Sequence, residues 1–545
     1  MKSREPRASS RRDRPPPEPG PLAALAGPPA LTPPVSTLPG ALDRLASLDA
    51  PWLTFHVGAA PSELTAQDAF RLAGRWAAAL LAAGVDRGDR VILLLPNGPD
   101  FVGAFFGAHL AGVVPVPVAW PFFPEPAPRR VAALAPVLAA ARPKAVLTTG
   151  DYAGGGWPCP ALTAPADHPA PLPSVDATQP AFIQFTSGTT GPGKGAVISQ
   201  GAAVYNAWAI GHALGLGEGD TGLSWLPLFH DMGLVGALLT SLLYGFRLHL
   251  MRPGDFLLRP DRWPRLLSET GATLAVGPNF AFDLAAKKTR QPELLSLAGL
   301  RHALNGSEPV HRSTVERFTE AFAPAGLAAD VVRPVYGLAE NTLAVAFGLE
   351  REEDLTWHQR AVPTVGRPLA GMEVELRGPD GAVVPEGVEG EITVKSPSLA
   401  TGYFEAPEQT ARALRDGWLH TGDLGVIQGG RLYVTGREKD LIFKGGQKVY
   451  PYEIEAVLAA EEDVPPGGVA AFAMPDASDG ADLLVVAMEL KSRSWAGAEQ
   501  RVRGRLVEAL GLRPDRVAIV APGALPRTTS GKVRRAACRA LVEAM

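Results

Sequence analysis

Short, mainly apolar runs without polar alternation recur along this chain, alternating with helix-like stretches. RVILLLPN (90–97), KAVLTTG (144–150) and AFIQF (181–185) are of this kind. A strand with no polar alternation must be covered on both faces, which predicts layered α/β architecture with largely parallel sheets. Between the runs lie helical patterns. In TAQDAFRLAGRWAAALLAAG (65–84), Thr65 is placed to cap the helix with Asp68 three residues on, and Gly84 suits the position just past its end. RRVAALAPVLAAA (129–141) reads as another helix. The most hydrophobic window, FVGAFFGAHLAGVVPVPVAW (101–120), is long enough to span a bilayer, but His109, Pro115 and Pro117 interrupt it. It reads as a buried helix running into a core strand, and no transmembrane segment is expected.

At 545 residues the chain exceeds one compact core. Residues 1–35, rich in Pro and Arg, are expected to form a disordered tail. A main domain then spans 36–436, with its last part (366–403) reading as a small antiparallel β subdomain. A smaller α+β domain spans 437–545, with a helix starting in YPYEIE, a strand pair at GVAAFAM and LLVVAMELK, a helix at EQRVRGRLVEALG and a strand at RVAIVAPG. A net charge of −4 argues against nucleic-acid binding. The two cysteines, Cys159 and Cys538, lack metal-ligand spacing and imply a reducing, cytoplasmic setting without disulfides.

The densest chemical signal is TSGTTGPGKG (186–195). It contains G-x-x-x-x-G-K from Gly188 to Lys194. A Walker loop needs Ser or Thr next and a helix whose N-terminus faces the phosphates. Here Gly195 follows, and GAVISQ reads as a strand, so both tests fail. Glycine-freed N–H groups, Ser187, three threonines and Lys194 still suit phosphate oxygens. Further polar islands follow predicted strands: His230 and Asp231 in WLPLFHDMGLVG; Gly277, Asn279 and Phe280 in VGPNFAFDL; Gly306, Ser307 and Glu308 in LNGSEPV; Tyr336, Gly337 and Glu340 in VYGLAEN. Asp423 in WLHTGDLG, Arg437 and Lys439 in YVTGREKD, and Lys532 in ALPRTTSGKVRR complete the series. Ligands of α/β proteins gather at the carboxyl ends of strands, so the islands describe one composite crevice.

TSGTTGPGKG, YGLAEN, TGDLG, TGREKDLI and PRTTSGK, in this order and spacing, resemble the acyl-adenylate-forming superfamily of acyl-CoA synthetases, fatty acyl-AMP ligases, luciferases and peptide-synthetase adenylation domains. The resemblance implies formation of acyl-AMP and pyrophosphate from ATP and a carboxylic acid, with Mg2+. It implies that Thr186, Ser187, Gly188, Thr189, Thr190, Gly191 and Lys194 hold the β- and γ-phosphates, and that Glu340 ligates Mg2+. Tyr336 would stack on adenine, with Gly306, Ser307, Glu308 and Gly337 lining its surroundings. Asp423 would take the ribose hydroxyls with help from Arg437. Lys532 would bridge the carboxylate and the α-phosphate, and with Glu340, His230 and Thr186 it makes the catalytic set. Lys439 would be the hinge of a rotating C-terminal domain. Asp231, Gly277, Asn279 and Phe280 would line the acyl pocket, in a wall that includes Phe282 and 234–242 and offers no cation to an amino acid's second carboxylate.

FHDMGL, NGSEPV, AGVVPVPVAWP and GALPRTTSGKVRRAACRAL look most like the fatty acyl-AMP ligase branch, which delivers fatty acyl groups to the phosphopantetheine of an acyl carrier protein. That branch carries an inserted segment before VGRPL, and 341–364 is too short for it in full. FKGGQKVYP resembles CoA ligases instead, so carrier protein and CoA both stay open as acceptors. A non-catalytic nucleotide-binding partner of a synthase is the reading from another class.

Overall fold

The computed structural model describes residues 21–48, 51–58, 60–168, 174–185, 193–349, 353–357, 360–444, 447–459, 461, 463–465, 467–475, 482–491, 497–527 and 533–545. The alternation of apolar runs and helices resolves into layered sheets. One holds, side by side, Val332–Gly337, His302–Asn305, Leu274–Gly277, Thr221–Ser224, Arg247–Leu250 and Pro51–Phe55, all parallel, with short antiparallel strands at its edges. A second is wholly parallel and orders Val114–Pro117, Arg90–Leu94, Ala145–Thr148 and Ala161–Leu162. Ile92, Leu94, Val116 and Val146 are fully buried there, as strands covered on both faces require.

Local signals act as expected. The Thr65 side chain accepts from the Asp68 N–H at the start of Ala66–Ala82, and Gly84 takes a positive φ just beyond it. The apolar window becomes the buried helix Pro99–Leu110 followed by the strand Val114–Pro117. Among the described residues no helix is long and apolar enough to cross a membrane.

The expected disordered tail needs correction. Residues 1–20 lie outside the described residues, but from 21 onward the chain is packed. Ala24–Ala26 forms a strand antiparallel to Glu373–Arg377, Ala23 is fully buried, and the Gly27 N–H donates to the Met372 carbonyl at 2.8 Å. A Cβ on Gly27 would stand 2.0 Å from the Leu369 carbonyl oxygen, so this close approach needs glycine. Three residues on a sheet edge need few backbone partners, and a Pro-rich segment supplies them.

The antiparallel sheet reached by this edge also contains Gly390–Lys395, Trp418–Gln428 and Arg431–Arg437. Beyond it lies a different body of structure. Val469–Pro475 pairs antiparallel with Asp482–Glu489, which pairs parallel with Arg516–Val520, and helices Pro451–Ala459, Ala498–Leu510 and Arg535–Glu543 pack around them. Among the described residues its two apolar cores begin at Ile442 and Ala470 and share no member with the cores of the earlier sheets.

Candidate active site

The polar islands fall where parallel strands end. Gly277, Asn305 and Gly337 are the last residues of three of them, and Ser224 of a fourth. The glycine-rich stretch sits between Pro180–Phe185 and Gly195–Ser199, which pair antiparallel with Phe185 opposite Gly195. Thr186, Ser187, Gly188, Thr189, Thr190 and Gly191 lie outside the described residues, and so does Lys532. Lys194 leads directly into a strand, as the failed Walker tests anticipated. The next helix, Gln200–Leu214, begins only after Ser199 has capped it. Gly195 is required by packing, since a Cβ there would meet Ile183 Cγ2 at 2.6 Å.

Lys194 is held on an aromatic face, its Nζ 4.8 Å from the centre of the Tyr403 ring. Tyr403 in turn donates its hydroxyl to Glu340 Oε1 at 2.7 Å. The backbone of 401–404 lies along the Gly195–Ser199 strand: the Thr401 N–H donates to the Val197 carbonyl, the Val197 N–H to Gly402, and the Phe404 N–H to Gly195. Glu340 stands in the single 3-10 turn Ala339–Asn341. That turn folds so tightly after Gly337 that a Cβ on Gly337 would be 2.1 Å from the Leu343 carbonyl oxygen. Burial and the Glu340 carboxylate push the Tyr403 phenol far above its ordinary range, so it remains a donor. The sequence reading missed Tyr403; a strand-like TGY gives no chemical signal before its neighbours are known.

A second cluster lies on the antiparallel sheet. Asp423 and Arg437 are register partners across adjacent strands, with Arg437 Nε 2.5 Å from Asp423 Oδ1. The Tyr336 hydroxyl donates to Asp423 Oδ2 at 2.9 Å, and the Asp423 N–H donates to Thr421 Oγ1. The Asp423 side chain is 6% exposed, that of Arg437 47%. Burial first, then the Asp423 charge, holds the Tyr336 phenol well above its usual range, and the same carboxylate raises the Arg437 guanidinium. Lys439 follows in the turn Glu438–Asp440. Burial first, then the Arg437 charge, lowers its ammonium pKa.

The apolar side is built around Trp225, which stacks on Phe256 at 4.0 Å and meets Phe280 edge-on at 6.2 Å. Beside it the chain forms the π-helix Met232–Leu239, unforeseen from sequence. Asp231 caps that helix: its Oδ1 accepts from the Met232 N–H at 2.7 Å and lies 2.6 Å from His230 Nδ1. Asn279 turns its Oδ1 to the His311 N–H and Asn305 Nδ2, and donates from Nδ2 to Thr314. A Cβ on Gly277 would face Trp263, Ala281 and Phe282, and Phe282 is fully buried against Trp263 and Phe318. Of the expected pocket residues Phe280 is thus the half-buried apolar one, while Asp231 and Asn279 brace their surroundings. Glu308 ties two islands together by accepting from the Phe280 N–H at 2.7 Å. Ser307 sits at φ 72°, beside a Gly306 whose Cβ would collide with Val335. Two cavities elsewhere, of about 310 Å³ against Arg312, Glu316 and Asp354 and about 470 Å³ against Glu218, Asp220 and His249, include none of these residues.

The segment 341–364 contains a hairpin of Leu355–Trp357 and Arg360–Val362. It is fixed by Arg312 on Asp354 at 3.4 Å and by the Tyr433 hydroxyl donating to the Glu353 carbonyl.

The model of the AMP-binding enzyme family matches residues 46–404. The long-chain-fatty-acid–AMP ligase FadD26 of Mycobacterium marinum is 35% identical, over 83% of this chain and 86% of its own. A structure from studies of fatty acyl-adenylate ligases of E. coli and L. pneumophila covers 94% of this chain and 98% of its own, at 30% identity and a TM-score of 0.85. Another, a fatty acyl-adenylate ligase from L. pneumophila in complex with acyl adenylate and pyrophosphate, covers 94% and 97%, at 29% identity and a TM-score of 0.71. The matched residues carry the glycine-rich stretch, Tyr336, Glu340 and Tyr403, and with that extent of agreement the chain belongs to the AMP-binding enzyme family.

Proposed function

We propose that this enzyme activates a fatty or similarly apolar carboxylic acid with ATP and then passes the acyl group to the phosphopantetheine thiol of an acyl carrier protein. The observation that carries the reading is that two sets are brought together where the strand Val332–Gly337 runs into the turn Ala339–Asn341: Lys194–Tyr403–Glu340, and Tyr336–Asp423–Arg437. The first suits phosphates, the second a nucleoside.

In the first step a carboxylate oxygen attacks the α-phosphorus, the α–β anhydride bond breaks, and pyrophosphate leaves with the bonding electrons. Charge builds on the phosphoryl oxygens, and fixed donors stabilise it. The N–H groups and hydroxyls of 186–191, with Lys194, would grip the departing pyrophosphate. Lys532 would serve the reacting phosphorus from the C-terminal domain. Asp423 already accepts one donor on each oxygen, but each keeps a second lone pair for a ribose hydroxyl. Its bond to the Tyr336 hydroxyl would hold that ring for stacking on adenine, with Gly306 to Glu308 lining the opposite side. His230, oriented by Asp231, would stand at the carboxylate end of the acyl pocket, and Phe280 along its wall.

Glu340 fits Mg2+. It is a hard oxygen donor beside the phosphate stretch, and this ion is commonly held by one or two carboxylates plus substrate phosphates. When bound, Mg2+ would neutralise phosphate charge. The division at 436/437, with Lys439 as the hinge, would let the C-terminal domain serve adenylation and then thioester formation.

CoA is the competing acceptor, favoured by FKGGQKVYP and the short 341–364 segment. The deciding experiment gives the enzyme ATP, fatty acid, and either CoA or holo carrier protein. Thioester on the carrier protein supports the proposal; thioester on CoA alone refutes it.

A further inference from the structure

Glu389 is a buried carboxylate with no part in the chemistry above. Its side chain is 8% exposed, just before the strand Gly390–Lys395. Three donors converge on it from both sides of Lys439. Thr435, from the Arg431–Arg437 strand, donates its hydroxyl to Oε1 at 2.6 Å. From beyond Lys439, the Tyr450 hydroxyl donates to Oε1 at 2.6 Å and Lys448 Nζ to Oε2 at 3.1 Å. The Tyr452 hydroxyl also donates to the Thr435 carbonyl. Gly436 makes room for this joint, because a Cβ there would meet Tyr450 Cδ1 at 2.7 Å. Burial alone would push the Glu389 carboxyl up. The Thr435, Tyr450 and Lys448 donors outweigh that and leave it below its ordinary range, hence ionised.

We propose that Glu389 is a positioning residue acting as a latch: it fastens the start of the C-terminal domain to the antiparallel sheet, and its bonds to Lys448 and Tyr450 must part before that domain turns about Lys439. The inference rests on the proposed reading of Lys439 as a hinge. Ile442, Val449 and Ile454, flanking the latched residues, belong to the smaller core, so Lys448 and Tyr450 move with it. Glu389 and Thr435 stay with the sheet. A turn therefore separates a buried carboxylate from two of its three donors, and the latch sets how often the turn occurs.

The test uses the full chain with spin labels on Leu258→Cys and Val507→Cys, both exposed, one on each side of the joint, in a Cys159→Ser background. Interlabel distances are measured without substrate and with ATP plus dodecanoate. In Glu389→Ala the population outside the main wild-type distance should rise about tenfold. Lys448→Ala should move it the same way by less, and Lys448→Arg should restore it. In parallel, the ratio of thioester formation to pyrophosphate exchange should change about tenfold in Glu389→Ala with the KM for ATP unchanged. Loss of fold would lower both half-reactions together. Distances and rate ratio identical to wild type in Glu389→Ala and in Lys448→Ala would overturn the latch. If the wild-type distance still shifts with ATP and dodecanoate, that result leaves the hinge standing.

Discussion

The two halves of the candidate site are built in opposite ways. At the Asp423 corner, the acid and Arg437 are register partners on neighbouring strands, so the backbone ladder sets their spacing, and Tyr336 closes the set from a parallel strand's end. At the Glu340 corner, one tyrosine joins three separate segments: a 3-10 turn, the strand-like 401–404 run, and Lys194 near the end of the glycine-rich stretch. A corner fixed by a ladder suits a group that stays the same through the reaction, the nucleoside. A corner assembled from turns suits one that changes, the triphosphate becoming pyrophosphate.

Substitutions can break that comparison. The largest effect should come from Lys532→Ala, which removes the cation proposed to act at the reacting phosphorus. Fatty-acid-dependent pyrophosphate exchange should fall about 10²- to 10³-fold in kcat, with the KM for ATP little changed; an undiminished rate would refute its role. Asp423→Ala comes next, stranding Arg437 and the Tyr336 hydroxyl. Here kcat/KM for ATP should fall about 10²-fold, mostly through KM, consistent with loss of two charge-assisted bonds. Tyr403→Phe keeps the ring under Lys194 and loses only the bond to Glu340. The Mg2+ concentration for half-maximal exchange should rise about three- to tenfold, with ATP affinity at saturating Mg2+ nearly unchanged.

The smallest effect belongs to a site remote from both corners. His249 Nδ1 lies 3.0 Å from His56 Nε2. Burial first, then the His56 and Arg247 charges, lowers His249 to about 4 from 6.5. The unfolded chain therefore binds this proton first, and stability present above pH 6.5 is lost as pH falls toward 4. His249→Gln should flatten that part of a denaturation-versus-pH curve and leave the pH dependence of exchange unmoved.

Legibility in the sequence divides along the same line. Elements dictated by local chemistry could be read directly: the Thr65 cap, the buried parallel strands, the strand beginning at Gly195, and the strand ends carrying the polar islands. Contacts depending on distant partners could not. Residues 24–26 become a strand only because Glu373–Arg377 offers an edge, which Pro-rich composition concealed. Tyr403 and Glu389 acquire meaning only when Glu340 and Tyr450 arrive beside them. The pocket roles of Asp231 and Asn279 came from the resemblance, which does not say how their side chains bond. Which way a polar atom turns is decided by nearby backbone N–H groups, invisible in the sequence.

The central claim is that this site makes acyl-AMP from an apolar acid. The most direct measurement is ATP–pyrophosphate exchange across fatty acids of graded length, with acyl-AMP identified by mass. Exchange should require the fatty acid, release no thioester without an acceptor, and be lost in Lys532→Ala. Exchange that fails with every fatty acid while an amino acid supports it would rule out an apolar acid as the substrate of this site.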